Sequence, residues 1–279
     1  MLLKDRFDLS GEVVAVTGGS GVLMSGIAEA LAECGAAVAI IGRRAEPCER
    51  VASRITEKGG RAIAAPADCT DVLSVEACRD RIVRAFGPVT LLVKGAGGNS
   101  PRAVTDIEYA SEAGEGKTFF DITPEGTDFV FDANMLTAFV CARVFCKDMA
   151  AAHRGNVINI SSMGAFLPLT KTPVYCAAKA GISNFTRWLA VHFASVGIRV
   201  NAIAPGFFSA EQNRTLLYNA DGTPAPRTEK ILGHTPMGRF GEPEDLYGTL
   251  LWLADGSLSG FVTGVTVAVD GGFSAYGGV

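Results

Sequence analysis

Short apolar runs alternate with amphipathic stretches along the whole chain. "VVAVT" (13–17), "AVAII" (37–41), "RAIAA" (61–65), "VTLLV" (89–93), "NVINIS" (156–161), "RVNAIA" (199–204) and "VTVAV" (265–269) have the length of buried strands. They lack polar alternation, which predicts strands covered on both faces, as in a parallel sheet. Between them the apolar spacing predicts helices at 23–34, 46–58, 72–86, 124–152, 174–196 and 242–254. Strands and helices in this order predict one α/β domain over 1–279, a doubly wound parallel sheet of about seven strands with helices on both faces.

Two segments break the rhythm. Residues 97–126 form a long polar connection after the fourth strand, and 207–241 follow the sixth. Both leave the C-terminal ends of strands, where open α/β sheets bind ligands. Long connections there are expected to shape a substrate pocket.

Composition narrows the function. Hydrophobic residues make up 48% and charged residues 19%, enough for a sizeable core, and 33 glycines suit many tight strand–helix turns. The net charge is −4 and no Lys/Arg run exceeds two, which argues against nucleic acid or an anionic membrane as partner. No uninterrupted apolar run approaches the roughly 18 residues of a membrane span, and the N-terminal stretch carries no signal-peptide pattern. Seven cysteines are scattered without metal-ligand spacing, as expected of reduced thiols in a cytoplasmic protein. His153, His192 and His234 are too far apart in sequence to suggest a site.

The stretch "VTGGSGVLMSGIAEAL" (16–31) follows a strand and opens a helix, the context in which a glycine-rich run binds a dinucleotide on a Rossmann-like fold. Helix N-terminal N–H groups attract the pyrophosphate and glycines let it approach. Met24 stands where a third loop glycine is expected, and Gly26 is placed to relieve crowding between helix and strand. After the second strand come Gly42, Arg43 and Arg44 instead of an acidic residue. An acid there favours NAD and an arginine the 2′-phosphate of NADP, so NADP(H) is favoured over NAD(H), unless both arginines are merely solvated first-turn residues. Asp68 is placed either to meet the adenine amino group or to cap the next helix.

Ser162, Tyr175 and Lys179 carry the chemistry. Tyr175 and Lys179 lie four apart on a helix pattern and share a face. A neighbouring ammonium favours phenolate and so lowers the phenol's pKa. The pair can then exchange a proton with an alcohol oxygen while Ser162, ending the fifth strand, holds that oxygen. Lys94, ending the fourth strand, is either a solvated strand end or a cation near cofactor or an acidic substrate.

With these motifs in place, the chain resembles the short-chain dehydrogenase/reductase family over essentially its whole length. "NVINISS" through "YCAAK" is similar to the family's serine–tyrosine–lysine segment, "RVNAIAPG" to its sixth-strand motif and "VTGVTVAVDGG" to its last strand. Asn134 in "FDANML" matches its helix asparagine, whose backbone holds a water that links the lysine to solvent. The resemblance therefore implies a catalytic tetrad of Asn134, Ser162, Tyr175 and Lys179. It assigns cofactor contacts to Gly18, Gly19, Ser20, Gly21, Val22, Leu23, Arg43, Arg44, Asp68, Cys69, Gly95, Ala96, Gly97, Tyr175, Lys179, Pro205, Gly206 and Phe208. Two departures stand out: Val22 and Met24 replace loop glycines, and the usual NNAG is Lys94-Gly95-Ala96-Gly97.

"GAGGNSP", "TFFDITPEG", "NISSMGAFLPLTKTPVY", "FTRWLAVHFA", "APGFFSAEQNRTLL" and "HTPMGRFGEPEDLYGTLLWL" together resemble a bacterial subgroup of mannonate oxidoreductases, also called fructuronate reductases. That implies NAD(P)-dependent interconversion of D-fructuronate and D-mannonate, and a homotetramer built on the long helices and the C-terminus. A sugar acid needs a cation and amide or hydroxyl groups, which the connections offer in Asn99, Arg102, Lys171, Gln212, Asn213 and Arg214. Met163, Phe166, Phe207 and Phe208 line an apolar groove or pack in the core, with Met163 among the substrate candidates. The same chemistry fits gluconate, another polyol or a β-ketoacyl thioester. A non-catalytic nucleotide-binding protein on this fold is the reading from another class.

Overall fold

The computed structural model describes residues 7–112, 114, 116–209, 217, 223 and 225–278. The seven apolar runs form β1 (Val13–Thr17), β2 (Ala37–Ile41), β3 (Arg61–Ala64), β4 (Leu91–Lys94), β5 (Gly155–Ile160), β6 (Ile198–Pro205) and β7 (Thr266–Val269). All pair in parallel, in the order β3-β2-β1-β4-β5-β6-β7. The strands are apolar without alternation because both faces are covered. In β1, Val14 and Val16 join a core cluster with Ile27, Leu31 and Leu250, while Ala15 joins a second with Val144 and Phe145. Ile27, Leu31 and Phe145 are essentially sealed from water, and each such side chain stabilises the fold by about 1.5–3 kcal/mol.

The helices that matter for the site are α1 (Val22–Glu33), α2 (Ala45–Glu57), α3 (Val72–Phe86), α4 (Pro124–Phe131), α5 (Thr137–Ala151) and α6 (Pro173–Phe193). Further along are α7 (Pro226–Gly233) and α8 (Tyr247–Ala254). The bounds of α3 match the sequence expectation because both stops are chemical. Asp71 accepts hydrogen bonds from the Leu73 and Ser74 amides at the start, and Gly87, at φ +95°, ends the last turn.

The expected helix over 124–152 is interrupted. Asp132–Leu136 forms a π-helical turn between α4 and α5, a local widening that periodicity cannot reveal. The continuous stretch Pro124–Ala151 is long and apolar enough, at mean hydropathy 1.5, to cross a membrane by length and composition. In this fold it is a core element, with Val140, Cys141, Val144, Phe145 and Met149 buried under the sheet.

Strand order reverses at β1, which has β2 on one side and β4 on the other. Loops leaving the two C-terminal ends therefore diverge and open a cleft between them.

Candidate active site

A cleft of about 1020 Å³ lies at this reversal. Gly18, Ser20, Gly21, Val22, Leu23, Arg43, Arg44, Asp68, Cys69, Gly95, Ala96, Gly97, Pro205 and Gly206 line it, together with Asn99, Ser162, Tyr175 and Lys179. Gly18, at φ +67°, lies so close to the next loop that a Cβ there would sit 2.9 Å from the Ala96 nitrogen. No side chain caps α1 at Gly21. The first-turn N–H groups thus face the cleft without a side-chain partner, which suits a pyrophosphate.

Several expected contacts are placed differently. Gly19 is a packing glycine: a Cβ would lie 2.8 Å from the Val16 carbonyl oxygen and 3.0 Å from an Ile40 methyl. Gly26 meets a helix rather than a strand, since its Cβ would fall 2.3 Å from the Tyr247 hydroxyl. Phe208 packs on Gly241 and lines a separate cavity of about 400 Å³ with Met237 and Arg239, away from the cofactor cleft. Met163 is buried as the first residue of the short turn that follows Ser162, and Lys171 is exposed and outside the cleft lining. Gln212, Asn213 and Arg214 lie outside the described residues.

At the far end of β2, Arg43 and Arg44 are exposed on the cleft rim. Asp68 does not cap α3, a task taken by Asp71. Its carboxylate accepts from the Thr70 amide at 2.9 Å and hydroxyl at 2.7 Å, which together with the Arg43 charge hold it below the usual carboxylate range.

The tetrad residues converge. Ser162 caps the start of the short turn after β5, and its oxygen accepts from the Gly164 amide at 3.1 Å, leaving its O–H able to donate. Burial pushes the Tyr175 phenol above its usual value, and the Ser162 hydroxyl pulls the other way. The expected lowering by Lys179 is not among the effects on this phenol. The Lys179 amine lies 5.5 Å from the Tyr175 ring centroid and donates to the Ile160 carbonyl at 2.9 Å. Burial lowers Lys179 itself to about 8.

Asn134 sits within the π turn, fully buried. Its amide donates to the carbonyls of Gly98 at 2.7 Å and Val130 at 2.8 Å. Its Oδ1 has no hydrogen-bond partner and faces Gly97, where a Cβ would lie 2.6 Å away. Lys94 is neither a solvated strand end nor a cation in the cleft: it is 1% exposed. Its amine donates to the Asn134 carbonyl at 2.5 Å and the Ala96 carbonyl at 2.7 Å. Sequence reasoning missed this, although a lysine closing the apolar strand "LLVK" was the visible signal. It also missed Phe129 and Asp132, which line the cleft from the turn of helix where the π segment begins.

The family model for short chain dehydrogenases matches residues 12–220. The chain belongs to this family. An uncharacterized oxidoreductase of Bacillus subtilis is 55% identical over 98% of both chains. A 2-dehydro-3-deoxy-D-gluconate 5-dehydrogenase from Dickeya dadantii is 33% identical over 98% of this chain and all of its own. Among solved structures, a proposed D-mannonate oxidoreductase from Haemophilus influenza with bound NAD is 46% identical, superposes at TM-score 0.96, and covers 99% of this chain and 100% of that one. A gluconate 5-dehydrogenase from Burkholderia cenocepacia with NADP and tartrate is 29% identical at TM-score 0.83, covering 98% of each chain. This short-chain dehydrogenase is accordingly an oxidoreductase acting on alcohol and ketone groups with a nicotinamide dinucleotide.

Proposed function

We propose that this dehydrogenase interconverts D-fructuronate and D-mannonate, with NADP(H) favoured over NAD(H). The observation that carries the substrate is the likeness, at TM-score 0.96 over 99% of the chain, to the proposed mannonate oxidoreductase. That extent takes in both long connections, 97–126 and 207–241, which we assign as substrate loops. Asn99, in the first, lines the cleft. The carboxylate partner falls to Lys171 or Arg214 by charge. The exposed Arg43 and Arg44 on the cleft rim support the cofactor preference.

A bound nicotinamide dinucleotide supplies or accepts the hydride at the substrate carbon. Tyr175 gives the carbonyl oxygen its proton during reduction and takes it back during oxidation. Ser162 donates its O–H to the same oxygen and orients it. Lys179 holds the ribose of the cofactor and, once drawn from the Ile160 carbonyl toward the phenol, offsets the burial that disfavours phenolate. Asn134 positions Lys179 across the narrow gap at Gly97, where added Cβ atoms would meet both side chains.

Initial rates with NADH and NADPH on hexuronates, ketogluconates and acetoacetyl thioesters test this reading. Highest kcat/KM for fructuronate with NADPH is expected; preference for a ketogluconate would favour the gluconate-type reading, which the 33% identity to the Dickeya dadantii enzyme supports. Absence of turnover on every ketone, with cofactor bound, would support a nucleotide-binding role instead. We place the protein in the cytoplasm, in line with seven cysteines free of disulfides. We also assign it as a homotetramer. Phe139, Trp188 and Val191 leave an aromatic, apolar strip exposed on α5 and α6, which a second copy would cover.

A further inference from the structure

Lys94 is a buried amine with no role in the reaction as assigned. It closes β4, directly beneath the cofactor cleft, and meets two main-chain carbonyls from different elements. Ala96 belongs to the turn that lines the cleft and Asn134 to the π turn that packs on α6, the helix carrying Lys179. The family resemblance implies a water on the Asn134 carbonyl; here an amine fills that hydrogen-bonding place.

We propose that Lys94 is a positioning residue for proton transfer: its amine replaces water on the Asn134 carbonyl and closes the path by which solvent would reach Lys179. This rests on the tetrad roles assigned above.

Three observations support it. The two acceptors match the two N–H groups of an uncharged amine, and no carboxylate is among the groups that act on it. The titratable groups around it are Lys179 from α6, Cys141 from α5 and Cys69 from the turn after β3. Burial, then the like charge of Lys179, hold Lys94 well below its usual value. Two buried amines without a counter-ion accommodate one proton far more readily than two, and we place that proton on Lys179, because burial and the like charge of Lys179 both disfavour it on Lys94. A neutral Lys94 can thus hold the carbonyl dry without competing for the catalytic charge.

The test compares the wild-type protein with Lys94→Met and Lys94→Asn. Crystal structures come first and need no turnover. The wild-type protein should show the Lys94 amine on the Asn134 carbonyl and no water there, and Lys94→Asn should show an ordered water in its place. A wild-type lysine swung away with water on that carbonyl overturns the proposal, whether or not any ketone is reduced. Kinetics with the best wild-type ketone form the second arm. Lys94→Met, which keeps the volume but donates nothing, should lose kcat about tenfold or more with KM within about twofold. Lys94→Asn, readmitting water, should recover much of that loss and move the alkaline limb of the reduction profile to higher pH, because a hydrated Lys179 holds its proton longer. Unchanged kcat and pH profile in both variants would leave Lys94 a structural residue and sink the idea. A wild-type protein that reduces none of the ketones would instead count against the assigned function, with the crystallographic arm still deciding Lys94.

Discussion

Met24 and Gly95 fit together as a pair: a Cβ on Gly95 would lie 2.3 Å from the Met24 sulfur and 2.5 Å from the carbons on either side. The long side chain at the glycine-loop position lines the cofactor cleft without standing out into solvent. It turns down from α1 over the end of β4 and is 6% exposed. The two departures from the family pattern thus account for each other, one side chain filling the space the other lacks. Met24→Gly would open a cavity against Gly95. That variant should be destabilised by about 2–5 kcal/mol from the cavity, with roughly 1 kcal/mol more for glycine within a helix. Urea unfolding and cofactor titration check this; equal stability with tighter binding would show that Met24 does not support the loop.

Tyr175→Phe removes the proton donor and leaves the ring packed. Ketone reduction should fall by about a hundredfold or more while cofactor affinity changes little. Retention of more than a few per cent of wild-type kcat, with cofactor bound, would mean that another group delivers the proton.

Lys179 carries a stability cost with a defined pH range. Its folded value of about 8 lies below the ordinary 10.5, so between those values the unfolded chain binds more protons than the folded one. Stability from this group is therefore lowest below the folded value and recovers as pH rises toward the unfolded one, a difference on the order of 3 kcal/mol. Lys179→Met should be inactive yet melt higher than wild type near neutral pH, with the gap shrinking as pH approaches about 10. Thermal denaturation across that range decides it; a gap independent of pH would contradict the assignment.

Arg43 is expected to read the ribose phosphate. Arg43→Ala should weaken NADPH binding by about tenfold and NADH binding by no more than about twofold. Fluorescence titration of both cofactors separates the effects, and equal losses would make Arg43 a general rim charge.

The strip on α5 and α6 is expected to be covered by another subunit. Val191 is 82% exposed in the single chain. Val191→Glu would bury a charge there, and light scattering should show a smaller assembly at unchanged secondary structure. An unaltered mass would move the interface elsewhere.

Much of this molecule is legible in the sequence, and for local reasons. Strand runs such as "AVAII" have one stable environment, a sheet covered on both faces, so β2 appears at 37–41 as expected. Helix α3 keeps its expected bounds because Asp71 and Gly87 are chemical signals carried by single residues. The four spacing of Tyr175 and Lys179 fixes their shared face through helix geometry alone. The π turn was not legible, because a single widened turn leaves the apolar periodicity of 124–152 nearly intact. Phe208 was misplaced for a similar reason: a motif gives its position after β6 but not the direction its ring turns.

The sequence by itself determined the order of elements, the sheet type and the residue types of the reacting group, since these follow from periodicity, caps and spacing within short stretches. Only the tertiary structure decided what Met24, Gly95, Lys94 and Asn134 are to one another. Their meaning lies in close packing and buried hydrogen bonds between segments as far apart as β4 and the π turn. Such contacts exist only once the folded interior excludes water and leaves each buried polar group to the partner the fold brings to it.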